Sequence, residues 1–201
     1  MKKAVVYLHG KGGNAAEAAH YRPLFPEHEV FGFDYTAAAP WEAAAEFPPY
    51  FDALCREYGP VTLIANSIGA YFALHALGAG QVETAYLISP VTDMGSLILG
   101  MMRQAGVTEE ALQKRGVIPT DFGEPLSWDY LCWVRTHPVT WDVPTHILYG
   151  EHDALVAPET VRAFAEKVGA SLTVMPGGEH WFHTPEQMAF LDGWLRRCRQ
   201  G

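Results

Sequence analysis

Four short motifs, scattered along a chain of 201 residues, carry residue types that can act together as a nucleophilic site. Ala65-Asn66-Ser67-Ile68-Gly69 sets a serine between small residues, which lets a strand and a helix pass almost in contact at a sharp turn. Such a turn is a nucleophile elbow, and it holds the hydroxyl out above the end of a sheet. A serine hydroxyl is a weak nucleophile until a neighbouring base takes its proton. Histidine is the side chain best suited to that at neutral pH, and His180 lies in the glycine-rich stretch Pro176-Gly177-Gly178-Glu179-His180-Trp181-Phe182. A carboxylate that fixes the imidazole tautomer completes the set. Asp153, at the end of Leu148-Tyr149-Gly150-Glu151-His152-Asp153, and Asp93, downstream of another apolar run, are the candidates. The fourth motif, His9-Gly10-Lys11-Gly12-Gly13, lets backbone N–H groups approach an anion without a Cβ in the way.

Other chemistries fit these motifs less well. The glycine stretch lacks the G-x-x-x-x-G-K-[ST] order of a phosphate loop, and Ala15 stands where a dinucleotide fingerprint needs its last glycine. His180 and His183 are two potential metal ligands without a third, which is weak support for zinc.

Short apolar runs alternate with helical patterns, the signature of a parallel sheet covered on both faces. Strands are expected at Ala4–Leu8, Glu29–Asp34, Val61–Ala65, Thr84–Ser89, Thr145–Tyr149 and Ser171–Met175. Helices are expected over Ala15–Tyr21, Pro40–Tyr58 with an interruption at Pro48-Pro49, Ser67–Leu77, Pro158–Val168 and Pro185–Arg199. Thr184-Pro185-Glu186-Gln187 reads as a capping box with proline at the first helical position, and Gly59 and Gly169 as helix stops. The alternation fails between Pro90 and Pro144. Met94–Met102, Thr108–Arg115 and Ser127–Thr136 read there as helices that no convincing strand follows. The expectation is a single domain over residues 1–201 with a helical cap inserted at about 91–144, folded over the carboxyl ends of the strands, where open α/β sheets place their sites.

Bulk composition narrows the function classes. Hydrophobic residues make up 49% and charged residues 18%, and the formal net charge is −9, so nucleic-acid binding lacks its electrostatic basis. No run reaches the roughly 18 apolar residues of a membrane span. Lys2-Lys3 and the apolar run after them resemble the start of a signal peptide, but His9-Gly10 ends the run early. Cys55, Cys132 and Cys198 show neither disulfide nor zinc spacing, and a cytoplasmic location is expected.

With the motifs in the order Ser67…Asp153…His180, each after its own strand, the chain resembles the α/β-hydrolase family of serine hydrolases. The resemblance covers the sheet and its helices but not Pro90–Pro144. It implies an α/β fold, a three-layer sandwich with a mainly parallel sheet of about six strands and a small cap. It implies Ser67 as nucleophile, His180 as general base and Asp153, rather than Asp93, as the acid. Lys11 and Ile68 are then the oxyanion-hole donors, and no cofactor or metal is required. Two departures stand out: the antiparallel opening strands of larger members are missing, and Asn66 stands where many relatives carry histidine. Large apolar residues of the insertion, Met101, Met102, Trp128 and Trp133, together with Trp181, are candidate substrate-binding groups. The expectation is hydrolysis of a carboxylic ester with a small or medium hydrophobic acyl group, the partner being that small-molecule substrate. A thioesterase, an aminopeptidase or amidase, or a non-catalytic ligand-binding protein retaining the fold remain alternatives, and sequence is silent on the oligomeric state.

Overall fold

In the computed structural model, which describes residues 2–200, the chain forms two compact units, one running to Thr92 and resuming at Thr140, the other spanning Asp93–Val139. The strands in chain order are β1 (Lys3–Leu8), β2 (His28–Phe33), β3 (Val61–Asn66), β4 (Val82–Ile88), a two-stranded hairpin of β5 (Val117–Ile118) and β6 (Leu126–Ser127), then β7 (Thr145–Gly150) and β8 (Ser171–Met175). Six of them make the sheet of the larger unit, in the order β2-β1-β3-β4-β7-β8, and all five pairings are parallel. The inner strands are buried almost throughout, as strands covered on both faces must be.

This strand order creates the place for a site. The chain steps from β1 outward to β2, crosses back over β1 to β3, and then proceeds the other way. Connections leaving the carboxyl ends of β1 and β3 therefore diverge, and a crevice opens between them. The His9–Gly13 turn and the Ser67 turn flank it.

The helices of the larger unit are a 3-10 helix (Ala15–Leu24), α1 (Pro40–Tyr58), α2 (Ser67–Ala76) and, after the smaller unit, α6 (Pro158–Val168) and α7 (Pro185–Cys198). α7 starts with the expected capping box, Thr184 Oγ1 accepting from Gln187 N at 3.2 Å. Glycines at positive φ end α1 and α6 as expected. One expectation is refined and one fails. The stretch after Gly13 is a 3-10 helix, opened by an Asn14/Glu17 capping box that sequence inspection did not single out. α1 runs unbroken through Pro48 and Pro49. Its buried side chains Ala43, Phe47 and Phe51 recur every fourth residue, and that continuous apolar face holds the helix together although two N–H donors are missing.

The smaller unit contains α3 (Met94–Ala105), α4 (Glu109–Arg115), the hairpin and α5 (Trp128–Thr136). Each helix is capped by a side chain: Asp93, Thr108 and Ser127 accept from the N–H groups of Ser96, Ala111 and Tyr130. Leu112, Leu126 and Leu131 are its most deeply buried apolar residues, and Arg135 holds Glu109 through two hydrogen bonds of 2.8 and 2.6 Å. The two-residue strands were unforeseen because two residues are too few to carry a period.

Candidate active site

Ser67 is the first residue of α2 and lies at φ 51. An L-residue avoids that region, at a cost of roughly 1–2 kcal/mol, so the bend must be held from outside. Gly69 shows how. A Cβ there would stand 2.4 Å from the His9 carbonyl oxygen, so α2 presses directly on the turn after β1. Gly10 is also tight, since a Cβ on it would lie 3.2 Å from the Ser67 Cβ. The two motifs flanking the crevice are in contact, and at Gly69 only a residue without a side chain permits it.

The Ser67 hydroxyl meets His180 Nε2 at 2.8 Å, and His180 Nδ1 meets Asp153 Oδ2 at 2.7 Å. Asp153 is an acceptor once ionised, so the shared proton belongs to Nδ1. Nε2 then keeps its lone pair toward Ser67. The Asp153 side chain is 0% exposed. Its second oxygen, Oδ1, accepts from the backbone N–H groups of Leu155 and Val156, both at 2.9 Å. Three hydrogen bonds thus satisfy a buried carboxylate that would otherwise be costly.

The loops bearing Asp153 and His180 are tied together by their backbones. Glu151 N donates to Met175 O at 3.0 Å and His152 N to Gly178 O at 2.7 Å, while the Glu151 carboxylate takes the Gly177 N–H at 2.8 Å. A Cβ on Gly150 would fall 2.4 Å from the Glu179 carbonyl oxygen. Tyr149 steadies the far side, donating from its hydroxyl to Val156 O at 2.6 Å; burial pushes its pKa up to about 12, so it stays a donor at neutral pH.

The rival carboxylate is used differently. Asp93 caps α3, with Oδ1 taking Ser96 N at 2.8 Å and Oδ2 taking the Ser96 hydroxyl at 2.6 Å. Lys11 lies in a turn closed by Gly13 N to Gly10 O at 3.1 Å, in which Gly12 takes the φ of +75 that its place requires. Ile68 follows Ser67 in the first turn of α2, where Asn66 makes no capping bond, so no side-chain cap occupies the N–H groups there. Trp181 is 67% exposed beside His180 and stacks on His183 with ring centroids 4.3 Å apart. His183 sits at the start of α7, its backbone N–H bonded to Gln187. Met101 and Met102 lie on α3 and Trp128 and Trp133 on α5, in the smaller unit; Met102 is only 3% exposed.

Three groups near Ser67 gave no signal in the sequence. Tyr35 donates to His9 O at 2.7 Å and stacks on the His9 ring. Tyr7 donates its hydroxyl to Glu17 Oε2 at 2.6 Å. Ser89, at the end of β4, has φ 42 and a buried hydroxyl without a partner. Among the described residues no cluster of three or more His, Cys, Asp or Glu side chains is arranged to hold a metal, and no helix is long and apolar enough to cross a membrane.

A six-stranded parallel sheet, helices around it and a strained serine at the switch point define the class: the chain has the α/β-hydrolase fold. No family model matches the sequence, and no match is found among curated proteins. Among solved structures, mouse alpha/beta hydrolase domain-containing protein 10 superposes with a TM-score of 0.79 at 14% identity, over 100% of this chain and 90% of that one. Est1E from Butyrivibrio proteoclasticus gives 0.76 at 14% identity, over 100% and 88%. A monoacylglycerol lipase from Paleococcus ferrophilus gives 0.64 at 17% identity, over 96% and 94%. At such identities the likeness is one of fold.

Proposed function

We propose that this protein is a cofactor-independent serine hydrolase that cleaves carboxylic esters through an acyl-Ser67 intermediate. The observation that carries this reading is the hydrogen-bonded line Ser67–His180–Asp153, with the serine strained at φ 51. His180 Nε2 takes the Ser67 proton as Oγ attacks the ester carbonyl carbon. The negative charge that develops on the carbonyl oxygen faces the Lys11 and Ile68 N–H groups. As the tetrahedral intermediate collapses, His180 returns the proton to the leaving alkoxide, and an alcohol departs. A water molecule then attacks the acyl carbon, again losing its proton to His180, and Ser67 regains that proton as the acid is released. Asp153 stays ionised throughout and stabilises the imidazolium.

An apolar acyl group is the substrate class this reading favours. Trp181, exposed beside the base, offers it a surface. A fluorophosphonate probe tests the mechanism, because an activated serine displaces its fluoride and is phosphonylated, whereas an ordinary serine is inert. Wild type is expected to label and to hydrolyse p-nitrophenyl esters, with Ser67→Ala doing neither; a wild type that does not label, or a variant that labels equally, overturns the proposal. Graded p-nitrophenyl esters run beside acyl thioesters and aminoacyl amides then assign the bond class.

A further inference from the structure

Among the described residues, Ser67 at φ 51 and Ser89 at φ 42 are the only ones other than glycine with a positive φ. One hydrogen bond links their turns. Ser89 follows β4, which lies between β3 and β7 in the sheet. Its N–H still belongs to the sheet, donating to Leu148 O at 2.8 Å, but the chain then turns toward the serine elbow, and Val91 N donates to Ser67 O at 3.2 Å. The ladder between β3 and β4 ends at Asn66 and Ile88, so this last bond lies beyond it. The kink that delivers it is disfavoured twice over. An L-residue avoids positive φ, and a residue before proline, here Pro90, is further restricted to extended backbone. Ser89 is also fully buried, with its hydroxyl unpartnered. Such strain persists only where the surroundings over-determine it, and here the bonds on either side of the kink do so.

Peptide geometry shows what the kink achieves. The Ser67 carbonyl and the Ile68 N–H belong to one planar trans peptide unit, so they point in opposite directions. Pinning the oxygen from the β4 side therefore fixes where the N–H aims. A hydrogen bond accepted by the carbonyl also polarises the unit and strengthens its N–H as a donor. We infer that Ser89-Pro90-Val91 is a positioning turn, in which the left-handed kink at Ser89 delivers the Val91 N–H to the Ser67 carbonyl and so orients the Ile68 N–H toward the oxyanion. Neither Ser89 nor Val91 touches substrate; both act through that one peptide unit. The catalytic consequence rests on the serine-hydrolase reading, whereas the mechanical link does not.

The test replaces Val91 in the full chain by α-hydroxyisovaleric acid, which turns the Pro90–Val91 amide into an ester, removing the N–H and keeping the side chain. Loss of a whole oxyanion donor costs roughly 10²–10³ in kcat, so loosening one is expected to lower kcat for p-nitrophenyl esters about tenfold, with KM held within about twofold. A trifluoromethyl ketone reads the oxyanion position directly. Ser67 Oγ adds to its carbonyl carbon, the serine proton passes to His180, and the anionic oxygen faces the Ile68 N–H, so its Ki should rise about tenfold as well. Ser89→Val, whose β-branched side chain resists positive φ, should show both losses and faster amide exchange at Val91. Ser89→Gly takes that φ freely and should recover most of the rate lost in Ser89→Val. If Ser89→Val fails to fold, the ester variant decides alone. Unchanged kcat or Ki in the ester variant, or a Ser89→Gly no faster than Ser89→Val, overturns the inference. A wild type without esterase activity condemns the hydrolase reading instead, and exchange then decides the link: an unprotected Val91 amide in wild type refutes it.

Discussion

At the scale of single residues, the two aspartates differ in what else holds their oxygens. Asp153 Oδ1 is committed to Leu155 N and Val156 N, leaving Oδ2 for His180. In Asp153→Asn the one remaining carbonyl oxygen must serve those two N–H groups, so the amide NH₂ faces Nδ1. Imidazole then has to present a lone pair at Nδ1 and a proton at Nε2, and it can no longer accept from Ser67. For a triad aspartate this loss is about 10⁴ in kcat. Asp93→Asn keeps an acceptor for Ser96 N and is expected to change kcat by no more than about twofold, as a surface substitution usually does. Steady-state kinetics of the two variants check the assignment, and the reverse order would move the acid to Asp93. Sequence spacing favoured Asp153, yet both residues follow a strand. In space the two are used differently, the Asp93 carboxylate being taken up by Ser96.

Among the elements, one tightly constrained junction is where the β7 and β8 loops meet. Gly150 lies against Gly178 and Glu179, and a methyl group there would enter the Glu179 carbonyl at 2.4 Å. Gly150→Ala must push apart the loops carrying Asp153 and His180, which the bonds from Glu151 N and His152 N hold together. The expected cost is about 1–3 kcal/mol of stability, as for other overpacking changes, together with a fall in turnover. Urea midpoints and kcat measure both, and wild-type values for the two would show that the loops yield freely. Elements of this kind were legible in the sequence where their chemistry is local. Strand runs, the Thr184 capping box and the terminating glycines depend on neighbours within a few residues. α1 was misread at Pro48-Pro49 because local propensity argues for a break, while the packing of Phe47 and Phe51 argues against it. The Asn14/Glu17 box was visible in principle, but the bond from Tyr7 to Glu17 could not be foreseen without the sheet.

For the whole molecule, the carboxyl edge of the sheet holds the candidate site, while two half-buried imidazoles at its amino edge are expected to respond to acid. His28 begins β2 and His146 lies early in β7. Burial lowers the pKa of both, and nearby Arg199 and Lys3 lower that of His28 further, against weaker opposing effects of Glu83 and Glu27. His146 bonds Ser171 Oγ at 2.7 Å and stacks on Tyr86, while His28 Nδ1 is buried without a partner. Because the folded pKa values lie below the unfolded one, near 6.5, the unfolded chain binds more protons as pH falls through that value. Stability from this source is complete above about pH 7 and is lost as pH drops toward the folded pKa values. The urea midpoint of wild type is therefore expected to fall between pH 8 and pH 5.5. His146→Asn, which cannot titrate, should flatten that fall while keeping the neutral protein folded. Carboxylates with ordinary pKa values near 4 titrate below this window, so a midpoint that is flat to pH 5.5 in wild type would separate acid sensitivity from the amino edge of the sheet, and an equally steep fall in His146→Asn would remove His146 from its causes.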